Sequence, residues 1–333
     1  MAEVHIVNVN PGDCTIIKHA SGRVTVMDIC GGNKLTTAEK SISSASISLE
    51  EGKPQGNFRM CNRTTNPIDY MHGIGVSEVF RFILSHPDMD HMDGIERLHN
   101  DIGIRNFWDT GFRRTDSKPT FSNRFNRYRK EDWDFYEEVI AEKISGVTLV
   151  KKLAGARFEL ANKKNNVGGG DGLYILAPNK ELLNDPDEFD DINESSYVIR
   201  YLSAAGNIIL PGDAHDSSWD FVISGAADLK GDCSFLLAPH HGRDSGRSFE
   251  FLDFLQPKLT VLGCAPSEYL SYDAWRTRGL DFITTNQAGN IVLNIQDGYY
   301  DVYIENMEYA VACGGDVSNK NTQGYYFWKR VTR

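Results

Sequence analysis

The stretch Ser85-His86-Pro87-Asp88-Met89-Asp90-His91-Met92-Asp93-Gly94 sets two imidazoles and three carboxylates within eight residues. Neutral imidazoles bind a divalent cation tightly, and carboxylates supply the charge that holds two such cations near one another against their repulsion. Four of these side chains, His86, Asp88, Asp90 and His91, can converge on metal. A solvated acidic turn with one capping aspartate would explain a single carboxylate but not the combined spacing. Two other places offer related chemistry: Asp213 closes the run NIILPGD, and the adjacent His240 and His241 follow the run CSFLLAP. Neighbouring residues point apart, so one histidine of the pair is expected on metal and the other toward substrate. Either assignment is open, and we place His241 on metal and His240 on the reacting group.

Each of these groups needs an element to deliver it. VFRFIL, just before the first cluster, reads as a short apolar strand, and IERLHNDIG, just after it, carries Ile95, Leu98 and Ile102 at helical spacing. NIILPGD is a buried strand ended by Pro-Gly, so Asp213 projects from its carboxyl end, where sites of α/β proteins gather. The first 33 residues read as three strands joined by the turns PGD and SG. Residues 34–75 read as a long polar loop carrying one helix, and residues 104–109 as a strand, with a helix over about 131–144. VTLV, GARFEL, GLYILAP, YVIRYL, CSFLLAP, LTVLGCA, DFITT, NIVLNI and YYDVYIE complete the strands, with helices around 216–223 and 248–255. Strands interleaved with helices indicate an α/β or α+β chain with a large mixed sheet. One domain is expected over 1–304, and 305–333 reads as a polar and aromatic extension packed on it or trailing from it.

The 333 residues are 41% hydrophobic and 24% charged, which excludes disordered, collagenous and coiled-coil classes. The formal charge of -11 repels polyanions except where basic residues gather locally, so a general nucleic-acid coat protein is excluded as well. Cysteines at 14, 30, 61, 233, 264 and 313 show no CxxC spacing, which speaks against a zinc ribbon or a disulfide framework and for free thiols. There is no signal-peptide pattern and no run of about 18 apolar residues. A cytoplasmic chain without membrane partners is the expectation. Nucleophile triads are disfavoured because GxSxG is absent and the histidines keep company with carboxylates.

The HxDxDHxxG pattern after an apolar strand resembles the metal-binding motif of the metallo-β-lactamase superfamily, with Asp88 where HxHxDH has its second histidine. That variant resembles the hydrolase domain of the ComEC competence proteins and their soluble relatives. The likeness runs in order along most of the chain. Asn8-Val9-Asn10-Pro11-Gly12-Asp13-Cys14 resembles the VGQGD opening with two substitutions, and Val26-Met27-Asp28-Ile29 the strand whose Asp supports the metal loop. Asn193-Glu194-Ser195-Ser196 resembles an NxxS motif, Pro211-Gly212-Asp213 the TGD motif, and His240-His241-Gly242 the HHGS motif. The histidine of a YGHP-type stretch has no counterpart over 264–273. The resemblance implies an αββα four-layer sandwich of two mixed β-sheets flanked by helices. It also implies two divalent ions, Zn or Mn, with Asp88 shifting the preference toward the oxygen-seeking Mn. His86, Asp88 and Asp213 are expected on one ion. Asp90, His91, Asp213 and a histidine of the 240–241 pair are expected on the other, with Asp13, Asp28, Asn193 and Ser196 behind them.

A water held between two ions would be deprotonated near neutral pH and attack a carbonyl or phosphoryl centre, with Asp90 orienting it and His240 stabilising or protonating the leaving oxygen. His215, two residues past Asp213, is left outside this expected set. For the substrate, residues 112–130 gather seven basic and four aromatic residues, among them Arg124, Arg127 and Arg129, against an acidic background. Such a segment suits phosphates and stacked bases. It equally suits a solvated stretch paired with the acids of 131–138. Arg243, Ser245, Arg247 and Ser248 beside the HHG turn add anion-binding capacity. The expected activity is a metal-dependent phosphodiesterase or nuclease acting on nucleic acid or nucleotides. The alternatives are a hydrolase of small phosphoesters, carboxylic esters or lactones, and a binding module without activity.

Overall fold

The computed structural model describes residues 1–9, 11–33, 58–113, 128–165, 167–184, 192–263, 265 and 269–333. Among these, ten strands form one sheet in the order β17-β18-β16-β15-β1-β2-β3-β4-β5-β6 and six form a second in the order β14-β13-β12-β11-β10-β9. In the first sheet β1 (Ala2–Ile6), β2 (Thr15–Lys18) and β3 (Val24–Met27) are antiparallel, and β4 (Val79–Ile83), β5 (Ile104–Trp108) and β6 (Thr148–Val150) follow β3 in parallel. β7 (Lys163–Lys164) and β8 (Val167–Gly168) make a separate ladder. In the second sheet β9 (Leu173–Ala177), β10 (Val198–Ser203) and β11 (Gly206–Leu210) are antiparallel, and β12 (Phe235–Leu237), β13 (Thr260–Leu262) and β14 (Phe282–Thr284) continue in parallel. The chain returns to the first sheet with β15 (Ile291–Gln296) and β16 (Tyr299–Ile304). Residues 305–333 then add the helix Met307–Ala312, β17 (Asp316–Lys320) and β18 (Tyr326–Thr332), with β18 antiparallel to β16.

Alternation along the strands sorts side chains into three cores. Ile17, Ile83, Trp108, Ile208, Leu210, Phe235 and Leu237 meet in a core between the sheets. Their sequence neighbours Ile16, Phe82 and Phe107 face outward and are covered by Ile68, Met71, Ile95, Leu98, Trp133 and Val139 of the helices Pro67–Gly73, Ile95–Asp101 and Lys130–Ile140. Ile209, Leu236 and Leu262 face the other way, under Trp219, Val222, Phe251, Leu252 and Trp275 of the helices Asp216–Gly225, Glu250–Leu255 and Tyr272–Arg276. A strand apolar on both faces needs a layer on each side, and this one arrangement satisfies both sheets. It is the αββα four-layer sandwich of the metallo-β-lactamase type, within the α+β class.

Two local expectations are corrected. GARFEL, Gly155 to Leu160, is not a strand. The buried side chain of Asn162 accepts from Phe158 N and donates to the carbonyls of Ala156 and Leu173, each at 3.0 Å, so these backbone groups are satisfied without a ladder. The helix expected to about 144 ends at Ile140, two residues before Glu142 enters the left-handed region at φ 57°. Among the described residues no helix is long and apolar enough to cross a membrane.

Candidate metal centre

Asp28 follows β3, His86 follows β4, Asp213 follows β11 and the histidine pair follows β12, so every group lies just beyond the carboxyl end of a strand. One contact brings the two sheets together there, Tyr197 N donating to Ser85 O at 2.9 Å, and within the second sheet His240 N donates to Gly212 O at 3.1 Å, which ties the loops after β12 and β11. The loop after β4 is held from three sides. Asp28 Oδ1 accepts from Ser85 N at 2.7 Å, Ile29 N donates to His91 O at 3.0 Å, and Asp132 accepts from Gly94 N and Glu96 N, each at 3.0 Å. Gly12, at φ 114°, lies so close to Asp90 O that a Cβ would overlap it, so the β1–β2 turn is pressed onto the same loop.

Asp213 sits at the centre. Its Oδ1 lies 3.3 Å from His91 Nε2, and its Oδ2 lies 3.6 Å from His240 Nε2 and 3.7 Å from His241 Nε2. Asp90 reaches both imidazoles, 3.8 Å from His91 Nε2 and 3.6 Å from His241 Nε2. Three groups of donors converge closely enough to hold a cation: His86, His91 and Asp213; Asp90, His91 and His241; and Asp13, Asp213 and His241. The imidazoles are oriented from behind. His91 Nδ1 donates to Asp28 Oδ2 at 2.9 Å, His86 Nδ1 lies 3.0 Å from Ser85 Oγ, and His241 Nδ1 lies 3.1 Å from Asp13 Oδ2. For His91 and His241 a carboxylate behind one ring nitrogen fixes the tautomer and leaves the other free as a ligand. The free atoms His86 Nε2, His91 Nε2, His241 Nε2 and Asp213 Oδ1 are all buried without a hydrogen-bond partner. Such orphans are costly in a folded protein unless something binds them, and their chemistry fits divalent metal.

The electrostatics agree. Burial alone would lower the pKa of His91, yet Asp213, Asp28 and Asp90 raise it well above the ordinary imidazole value. His241 is raised in the same way, against its burial, by Asp13 and Asp213. Burial would raise Asp213, and His91 and His241 overcome it and hold the carboxyl well below its usual range. The cluster therefore draws positive charge inward, and metal cations are one way to supply it. His240 behaves differently. Its burial outweighs the attraction of Asp213 and brings it down to about 4, with His241 and Arg247 adding to the effect, so it stays neutral.

The sequence-expected residues fall into place unevenly. His86, Asp90, His91, Asp213 and His241 come together. Asp88 lies outside the three convergent groups and caps the following turn, its Oδ1 accepting from Met89 N at 2.7 Å. Asp28 supports His91, and Ser196 Oγ accepts from Asp213 N at 3.2 Å, whereas Asn193 meets the site through backbone, its carbonyl accepting from Ser196 N at 3.0 Å. Asp13 stands close enough to be a donor itself. The expected divergence of the histidine pair is resolved by two left-handed residues, His240 at φ 50° and His241 at φ 57°. They aim His241 at Asp13, Asp90 and Asp213 and leave His240 beside Ser245 Oγ, 2.9 Å from its Nδ1. His215, left out of the sequence reading, approaches the same Nδ1 at 3.0 Å. Its position two residues after Asp213, at the start of a helix, was the only signal for it.

The basic residues divide too. Arg243 is half-buried, has no carboxylate partner among the described residues, and lies 5.4 Å over the exposed ring of Tyr269. Arg247 is buried and spends its guanidinium on backbone carbonyls, so it is not the anion-binding group expected. Arg113 pairs with Asp109 at 2.8 Å and Lys130 with Asp134 at 2.5 Å. Arg129 is exposed ahead of the helix Lys130–Ile140, while Arg124 and Arg127 lie outside the described residues.

No family model matches the chain, and no curated protein does. Among solved structures it aligns with Igni18, a novel metallo hydrolase from the hyperthermophilic archaeon Ignicoccus hospitalis KIN4/I, at 12% identity and TM-score 0.45, covering 88% of this chain and 100% of that one. It aligns with CmlA, a diiron beta-hydroxylase from Streptomyces venezuelae, at 10% identity and TM-score 0.46 over 88% of this chain, which spans only 54% of CmlA. A diphosphatase of the PhnP family aligns at 10% identity and TM-score 0.38, over 85% and 94% of the two chains. These likenesses are distant. The fold assignment rests on strand order, the three cores and the strand ends at which the donors meet: a metallo-β-lactamase-type sandwich.

Proposed function

We propose that the protein is a metal-dependent hydrolase of phosphodiesters, acting on nucleic acid or nucleotides. The observation that carries the reading is the convergence of four buried, unpartnered donor atoms around Asp213. His86, His91, Asp90, Asp213, Asp13 and His241 would hold two divalent ions, Zn or Mn, which supply Lewis acidity and make bound water nucleophilic near neutral pH. Asp90, the more exposed carboxylate of the set, is placed to accept the proton of the attacking water. His240 is neutral, and either Ser245 or His215 can donate to its Nδ1, which leaves Nε2–H to stabilise the developing negative charge on the leaving oxygen. Arg243, three residues on and without a carboxylate partner, favours an anionic substrate over a carboxylic ester, and the ring of Tyr269 beneath it offers a surface for a base.

The test offers Zn- and Mn-loaded protein single-stranded and double-stranded oligonucleotides, cyclic nucleotides, bis-p-nitrophenyl phosphate and p-nitrophenyl acetate. Phosphodiester cleavage without acetate hydrolysis is expected, and Arg243→Ala should raise KM for the nucleotide substrates. Acetate turnover with no phosphodiester cleavage overturns the reading. Neutralising Arg124, Arg127 and Arg129 together decides between polymer and small nucleotide: a flattened salt dependence of oligonucleotide binding marks the segment as a phosphate grip, because fewer counterions are released.

A further inference from the structure

We propose that Arg247 is a positioning residue that holds the strained histidine turn and fixes its distance from Asp213. The inference rests on the reading of Asp213 and His241 as metal donors. His240 and His241 are consecutive non-glycine residues in the left-handed region, at φ 50°, ψ 48° and φ 57°, ψ 9°. Side chains with a Cβ occupy that region at a cost, and two in a row persist only where surroundings hold them. Arg247, 6% exposed, supplies that hold. Its Nη2 donates to Pro239 O at 2.5 Å, immediately before the strained pair, and to Arg243 O at 3.0 Å, immediately after Gly242. Its Nη1 donates to Ala214 O at 3.3 Å, the residue next to Asp213. One planar fork thus closes the turn at both ends and ties it to the end of β11. A lysine ammonium is a single point of charge on a flexible stem and lacks the two-nitrogen fork this geometry uses.

The test uses Arg247→Lys in the full chain, alone and combined with His240→Gly, which removes the left-handed penalty at one position. In the apo-protein, Arg247→Lys should lower Tm less in the native background, where releasing the turn also releases its left-handed strain, than in the His240→Gly background, which has less strain to release. A buried arginine with a merely structural role would lower Tm equally in both, and that result would overturn the proposal. Should Arg247→Lys not fold, the same comparison is made with Arg247→Gln, and equal losses in the two backgrounds overturn the proposal there as well. The second readout is calorimetric titration with Zn²⁺ or Mn²⁺ alone. Arg247→Lys is expected to weaken binding at least tenfold with an unchanged far-UV spectrum, and wild-type affinity in the variant sinks the link to Asp213. Wild-type protein that takes up neither ion refutes the metal reading and with it the link to metal, while the Tm comparison still decides whether Arg247 holds the turn.

Discussion

Asp213 concentrates the demands of the site in one side chain. It faces His91, His240 and His241, belongs to two of the three donor groups, and its Oδ1 is an orphan in a buried setting. Asp90 carries less structural burden, being about a quarter exposed and bound only to the second group. The two carboxylates should therefore separate on substitution. Asp213→Ala should lower metal content at both positions, since the shared carboxylate no longer screens the repulsion between the ions. Asp90→Asn should keep most of the metal and lose turnover by about a hundredfold, the scale of a missing proton acceptor. Elemental analysis beside steady-state kinetics checks both. Full metal loading of the alanine variant would remove Asp213 from the centre of the site.

The elements place these residues through strand ends rather than through long helices. A tight junction between the two sheets lies after β11, where Gly212 adopts φ 54° and a Cβ there would stand 2.6 Å from Ser85 Cβ. Ser85 in turn touches the Nδ1 atoms of His86 and His91, at 3.0 and 3.3 Å. Gly212→Ala therefore strains the backbone and pushes the two sheets apart where the donors meet. A destabilisation of about 1–3 kcal/mol is expected from overpacking of this kind, together with weaker metal binding. Urea unfolding and a metal titration on the same preparation measure both, and an alanine variant with native metal affinity would show that the junction tolerates the separation.

Across the whole molecule, the charged groups between the sheets are not all catalytic. Toward the amino ends of β3 and β4, Arg81 donates to Thr25 Oγ1 at 2.7 Å and pairs with Asp171 at 3.2 Å, beside His19, whose Nε2 lies 2.8 Å from Thr25 Oγ1. Burial brings His19 down to about 4, against the pull of Asp171. The native histidine stays neutral where the unfolded one is protonated. The stability this gives is fully present above about pH 6.5 and is lost as pH falls toward 4, with about 2 kcal/mol gone between pH 7.5 and 5. Urea unfolding at those two pH values should show the loss in the wild type and a shallower dependence in His19→Gln. Equal slopes would assign the acid sensitivity to other groups.

The sequence alone determined the fold class and the densest part of the site. The segment from His86 to His91 is local, and the strands that end at Asp28, Asp213 and the histidine pair announce themselves by apolar runs stopped at turn residues. Periodicity reports which face a side chain takes along a strand, and this sufficed for an α/β or α+β chain with a large mixed sheet, while the two-sheet sandwich came as what the resemblance implied and the three cores from the structure. What it does not report is the course of irregular backbone. Only the tertiary structure put His241 inward and His240 toward His215 and Ser245, because two left-handed residues are stabilised by distant partners and not by their own propensities. Asp13 and Arg247 were reassigned for the same reason. The β1–β2 turn carrying Asp13 meets the metal loop only once both are docked, and Arg247 is buried against carbonyls of two separate turns rather than facing solvent. GARFEL satisfied its backbone through the side chain of Asn162, and the last strands found a sheet edge at β16, both outcomes of contacts between segments that no local pattern records.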